Sequence, residues 1–405
     1  MTAEVREVRD RHPWRAAISI GAGAVLIGLI LQIWIIPTVN DLGYWWISED
    51  AWTPLRPARA VAEGRPGNLY AADPRWIAGP LVPILLAPIW LVGQWLDLST
   101  PLTGELDRPT LWFVYGPVVL GWSIPLLYAV RAVAVEAGRR SAAVGRVVRI
   151  QWVMVPLVLL ATAVLAAHLE DLVAITLIAL AARATLRGDA AASAIWLALA
   201  IVTKQWALLA APALFAMVPA GSRMRWLSIA VGIPGVVFGS LFLADPGSAG
   251  RALFEGLVFP AAGKPALFVD PADPLVGTPF RAAIVPVAAA LGMLVVRRPG
   301  PRPLLAAIGL SLLVRLALEP VVFAYYPAPA LAFLALREYS ETGHARLTLV
   351  IGLAMTVLFP WEPSSRTIWW VVQGVLLLML AAPAVRDLVG PTIERRVAKP
   401  MEPAI

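Results

Sequence analysis

The segment Asp41-Leu-Gly-Tyr-Trp-Trp-Ile-Ser-Glu-Asp50 sets three carboxylates, Asp41, Glu49 and Asp50, among aromatic side chains directly after a long apolar run. Carboxylates at an apolar boundary are costly to desolvate, and burial moves such groups toward the range useful for proton transfer. Asp50 is therefore a candidate general base, with Asp41 and Glu49 beside it to bind a polar substrate. The alternative is local: Ser48, Glu49 and Asp50 also stand where hydroxyls and acids cap a short helix starting near Ala51 and Trp52.

Three further groups carry chemistry. His168-Leu-Glu170-Asp171 joins an imidazole to two carboxylates, which suits orienting a substrate or holding a phosphate. Its residue types would also accept a divalent metal, but the helical histidine spacing of a metal site is missing, so no metal site is assigned. An N-cap followed by acids in the first helical turn is the competing reading. Thr203-Lys204-Gln205-Trp206 lies between the short apolar segments 191–202 and 207–218. An ammonium there is expensive unless it has work to do, and it would meet a phosphate as a point charge with Gln205 beside it. Trp206 would then lie at the interface; the alternative is that Lys204 merely reaches the headgroups. Arg315 and Glu319 are four residues apart and share a helix face, followed by Tyr325 and Tyr326. They form either an ion pair holding helices in register or part of a phosphate or sugar pocket. Lys264, Asp270 and Asp273, interleaved with Phe259 and Phe268, read as a solvated lid.

The elements that must position these groups are membrane helices. The chain has 405 residues, of which 59% are hydrophobic and 15% charged, with a mean hydropathy of +0.75. A soluble domain would have charges nearer a quarter of its residues. Apolar runs long enough for about 30 Å of hydrocarbon recur, as at 16–36, 111–130 and 368–382. Alternating barrel strands are missing. The expected fold is all-α: a polytopic transmembrane helical bundle forming a single integral-membrane domain over 1–405. The first apolar run continues through Trp34, Ile35 and Ile36 with no small-residue cleavage site, so it is expected to be a retained helix. With no cysteine there is no thiol nucleophile or disulfide. Walker-type loops, dinucleotide fingerprints, nucleophile elbows and HExxH are also missing, which argues against ATP-driven transport, redox catalysis and zinc proteolysis.

Orientation follows from the rule that short basic loops stay in the cytoplasm. Arginines cluster at 6–15, 131–149, 183–187, 223–225, 297–302, 337–346 and 386–399. The intervening segments, which hold all four chemical groups, then face outward. Residues 78–96 contain Pro80, Pro83 and Pro88 and are expected to form a re-entrant or interfacial outer helix. About twelve crossings result, with both termini cytoplasmic. The parts are a tail at 1–15, a first outer loop at 38–108, a second outer loop at 244–281 and a tail at 386–405. The inner parts carry 22 basic and 10 acidic residues and the outer parts 11 and 16, so the net +7 divides into +12 inside and −5 outside. The positive charge therefore records orientation, and no nucleic-acid partner is expected.

Taken in order, these motifs resemble the GT-C superfamily of membrane glycosyltransferases, most closely the glycosyltransferase family 87 group with its polyprenyl-phosphate-dependent mannosyltransferases. Asp50, Gly64 and Tyr70 match that family's acid, glycine and tyrosine in the first outer loop, and Arg59-Ala-Val-Ala-Glu-Gly64 matches the small helix between them. Gly79-Pro80-Leu81 and Ala87-Pro88 match the proline-bearing segment, with Ala78 where the family usually has tyrosine. His168-Leu-Glu-Asp171, the Lys204 turn and the stretch from Arg315 to Tyr326 match its later motifs, with Glu319 for aspartate and Pro327 for histidine. The resemblance covers about 28–336. It implies an outward-facing site in a bacterial plasma membrane and a polyprenyl-phosphate sugar as donor. It also implies a glycolipid or glycan acceptor, Asp50 as base, and a leaving phosphate stabilised by cations among Lys204, Arg315 and His168. No resident cofactor is implied. The alternatives are a carrier or flippase of a lipid-linked sugar and an inactive homologue serving as a scaffold.

Overall fold

Gly188-Asp189 turns the chain between its two most closely packed helices. Helix Leu169–Arg187 begins with Glu170 and Asp171 in its first turn and ends on Arg187, the polarity that complements the helix dipole. Gly188 terminates it at φ +79°. Asp189 then accepts a hydrogen bond from the Ala192 backbone N–H (3.0 Å) and so caps helix Ala190–Thr203. A β-carbon at Gly188 would meet no atom within 4 Å. Gly188→Ala should therefore report the left-handed backbone alone, lowering stability by about 1–2 kcal/mol in a detergent unfolding titration.

The computed structural model describes residues 13–35, 38, 49–73, 76–99, 110–138, 147–255, 274–318, 325–358 and 366–390. Among these residues the regular structure is entirely helical. Five helices are long and apolar enough to cross a membrane: Trp14–Ile35, Trp112–Ala137, Ala220–Ala244, Pro301–Leu318 and Val371–Val389. Shorter apolar helices include Leu81–Trp95, Ala190–Thr203 and Gln205–Ala216. Ala220–Ala244 presents Val231, Val236 and Leu243 outward, as a helix facing lipid would. Leu169–Arg187, in contrast, is buried along nearly its whole length, packed between Ser123–Ala137 and Ala190–Thr203. That explains how a helix with four charged residues is accommodated: its neighbours, not lipid, surround it.

The proline-rich segment forms a single helix. Pro80 is the N-cap of Leu81–Trp95 and Pro83 lies in its first turn, where no helical N–H bond is required, so only Pro88 falls inside. The helix is continuous over 15 residues. At about 22 Å it is shorter than the hydrocarbon layer. Before it, helix Leu55–Ala62 occupies the place expected for the small helix of the first outer loop, and Glu63 bridges Arg59 and Arg65 just beyond its end. The last helix, Arg366–Val389, runs past the expected start of the tail at 386.

Polar groups collect at two poles of the bundle. Pro301–Leu318 and Ala328–Thr342 pack together as an antiparallel pair, with Arg315 and Tyr325 at one end and Arg302 and Glu341 at the other. At this second pole Arg337 binds Glu341 (2.8 Å) and Asp387 (2.6 Å), and Arg187 approaches Glu136 (3.5 Å). All of these residues belong to the set assigned inward by charge. The first pole holds His168, Glu170, Asp171 and Lys204, all assigned outward. Helix Leu169–Arg187 alone separates the poles by about 28 Å.

Candidate functional site

The chain enters the first pole through an unusual backbone. Residues Val155–Leu165 form wide helical turns, which favour functional sites, and the Ala166 N–H bonds to the Ala161 carbonyl five residues back. Ala167, fully buried, then adopts φ +54°, a conformation that costs a β-carbon-bearing residue energy. The His168 N–H closes the bend on the Thr162 carbonyl (2.8 Å), and His168 takes the N-cap position without using its side chain to cap. The imidazole is thereby left for other partners.

Those partners are carboxylates and an aromatic ring. His168 Nδ1 lies 2.8 Å from Glu170 Oε1 and 3.5 Å from Asp171 Oδ2. Because a carboxylate accepts, the Glu170 contact places the ring proton on Nδ1 and leaves Nε2 as the basic nitrogen of the neutral imidazole. Tyr325 stacks on the imidazole with centroids 3.9 Å apart. His168, Glu170 and Asp171 are 8%, 5% and 3% exposed. This degree of burial demands compensation for both negative charges.

Lys204 supplies it from the far end of helix Ala190–Thr203. Its ammonium donates to Glu170 Oε1 (3.1 Å) and lies 3.8 Å from Asp171 Oδ1. The side chain thus points into the protein, not toward the headgroups. Trp206, expected at the interface, is 9% exposed and donates its indole N–H to Asp171 Oδ1 (3.1 Å). The Arg315 guanidinium lies over the rings of Trp206 (5.5 Å) and Tyr326 (4.7 Å), and Tyr326 meets Tyr325 edge to face.

A close backbone approach secures the lysine turn. The Gly79 N–H donates to the Thr203 carbonyl (2.9 Å), and Gln205 Nε2 donates to the Ile77 carbonyl (3.0 Å). Gln205 is thus a strut between segments. A β-carbon on Gly79 would sit 1.8 Å from the Val202 carbonyl oxygen. Gly79→Ala must push the two backbones apart, and should cost about 3 kcal/mol in an unfolding titration, the upper end of overpacking losses.

Residues 49–52 approach the same pole. Glu49 and Asp50 begin the single-turn helix Glu49–Trp52, in keeping with the local helix-start reading of these residues. Ala51 is fully buried, and the Trp52 ring packs on Trp112 (5.8 Å) and Tyr115 (6.0 Å). Tyr115, also fully buried, lies within electrostatic reach of Glu170. Asp41 and Glu319 lie outside the described residues, as do Lys264, Asp270 and Asp273.

The structure therefore brings His168, Glu170, Asp171, Lys204, Arg315, Tyr325 and Tyr326 into one cluster and adds Trp206, Tyr115 and Gly79. Adjacency to Lys204 was the signal for Trp206. Tyr115 gave none, and Gly79 stood out only as part of the proline-bearing segment, because their roles depend on packing partners remote in sequence. No protein-family model matches the chain, and no curated protein is similar to it.

Proposed function

We propose that the chain is an integral-membrane glycosyltransferase that moves a sugar, mannose or a related hexose, from a polyprenyl-phosphate carrier to a cell-envelope glycolipid or glycan. The observation that carries this reading is the meeting of cations, carboxylates and tyrosines at one pole of a lipid-embedded bundle. Such a pole suits a ligand with an anionic phosphate, a hydroxyl-rich sugar and an apolar tail. The tail enters from the bilayer. Asp50 takes the proton of the acceptor hydroxyl as its oxygen attacks the anomeric carbon, and the bond from that carbon to the phosphate oxygen breaks with inversion. The departing polyprenyl phosphate keeps the electron pair, and Arg315 and Lys204, with His168 once its Nε2 is protonated, meet its charge. The proposed topology keeps the about twelve crossings expected from the sequence, with cytoplasmic termini and an outward-facing site in the bacterial plasma membrane.

One observation favours a second reading. Lys204 is already neutralised by two carboxylates, as in a carrier of lipid-linked sugars or an inactive scaffold that needs no cation for chemistry. Purified chain in vesicles, supplied with a labelled polyprenyl-phosphate hexose and lipid acceptors, should produce labelled glycolipid. Movement of the donor between leaflets without a new product would establish the carrier, and neither result would leave the scaffold.

A further inference from the structure

Two deeply buried aromatic side chains beside the site carry hydrogen-bond donors that bond to nothing. Helix Trp112–Gly121 opens on Trp112, and Tyr115 follows three residues later on the same face. Trp112 is 1% exposed and Tyr115 is fully buried. Among the described residues, neither the Trp112 indole N–H nor the Tyr115 phenol has a hydrogen-bond partner. Phenylalanine would fill position 115 without burying a hydroxyl, whose desolvation is here uncompensated. The two rings meet edge to face at 5.6 Å, and Trp52, at the end of the turn that carries Asp50, packs on both. The Glu170 carboxylate lies within electrostatic reach of Tyr115. The free donors therefore sit where the Asp50 turn meets the carboxylate cluster.

The geometry points to Trp112 and Tyr115 as the donors that hold the sugar of a lipid-linked substrate, an inference that rests on the function proposed above. Each part of such a substrate has a different chemistry. The apolar tail has no acceptor to offer an N–H or O–H. The phosphate is an anion that Glu170 repels, so its place is toward Arg315. A sugar hydroxyl or ring oxygen is neutral and accepts from both donors. The apolar faces of the sugar ring pack on aromatic walls, and three rings are present here. Held by these donors, the sugar stands next to the turn that carries Asp50.

Full-length chain in detergent micelles is assayed by equilibrium binding of labelled polyprenyl phosphate bearing mannose or glucose, with bare polyprenyl phosphate as control. Thermal unfolding is measured without ligand. Tyr115→Phe should weaken binding of the preferred sugar-bearing lipid about 10–100-fold, the loss of one well-placed hydrogen bond, and leave binding of the bare lipid unchanged. Without ligand the variant should unfold at the same temperature as wild type or higher, because the hydroxyl removed had no partner. A merely structural tyrosine would give the opposite pattern. Trp112→Phe should likewise weaken the sugar-bearing lipid more than the bare one. Suppose wild type prefers the sugar-bearing lipid and Tyr115→Phe binds it equally well: the inference is then overturned and the proposed function stands. If wild type shows no preference for either sugar-bearing lipid, the reading of the site as one for lipid-linked sugar falls, and this inference with it. A lower unfolding temperature for ligand-free Tyr115→Phe would also overturn it, since the hydroxyl would then be held by a partner such as water in the resting protein.

Discussion

Lys204→Met lowers the stability of the folded chain by about 3–5 kcal/mol, measured as a shift in the unfolding midpoint in mixed micelles containing a chelator. The size follows from what remains. Glu170 and Asp171 stay buried, and the ammonium at 3.1 and 3.8 Å is gone. Among the described residues, the His168 imidazole and the Trp206 indole N–H still face the two carboxylates, but neither supplies the fixed charge of the ammonium. An ionised group left in a low-dielectric interior without its partner bears its full desolvation cost. The double variant Lys204→Met/Glu170→Gln removes one charge of each sign, so it should recover more than half of the loss. The coupling between the two positions, extracted from a double-mutant cycle, is then the direct measure of the pair. Additive losses would show that Lys204 is held by something other than these carboxylates. They would also remove the electrostatic basis of the cluster.

Asp50→Asn should reduce sugar transfer by about 10²–10⁴-fold, the range associated with losing a positioned general base, while the unfolding midpoint stays near that of wild type. The substitution keeps the shape of the side chain and removes its ability to accept a proton. It also leaves untouched the packing that seats its turn: Ala51 is fully buried and Trp52 rests on Trp112 and Tyr115. Transfer is measured with labelled polyprenyl-phosphate hexose at saturating acceptor, so that the change appears in turnover. Wild-type turnover in the variant would remove Asp50 from the mechanism. His168, whose Nδ1 is oriented by Glu170, would then be the next group to test as the base.

Much of the architecture is legible from local chemistry. Gly188-Asp189 announces a helix stop and the next start, since glycine tolerates the left-handed backbone and aspartate accepts the bonds of exposed helical N–H groups. The alternation of basic and acidic clusters is likewise visible along the chain, and charged residues gather at two poles of the structure. The proline segment shows a limit of local reasoning. Three prolines in nine residues do not by themselves say where the helix starts, and Pro80 and Pro83 fall at the one end where a missing N–H costs nothing.

The residues at the site illustrate a different limit. Its motifs are short and spaced far apart: Lys204 meets Glu170 across 34 residues, and Gln205 meets Ile77 across 128. The helices carrying them are apolar on nearly every side, so periodicity does not indicate which faces meet. Trp206 looks like an interfacial tryptophan until Asp171 is found beside its indole N–H.

From its sequence alone the chain is a helical membrane protein with its chemically active residues at the ends of apolar segments, because burial of backbone and apolar side chains in hydrocarbon leaves few alternatives. Folding settles what those residues become. Lys204 is turned inward because two buried carboxylates hold an ammonium more strongly than one, and Gly79 is required because two backbones touch there. Both facts depend on distances between segments remote in the chain, which arise only when the helices pack.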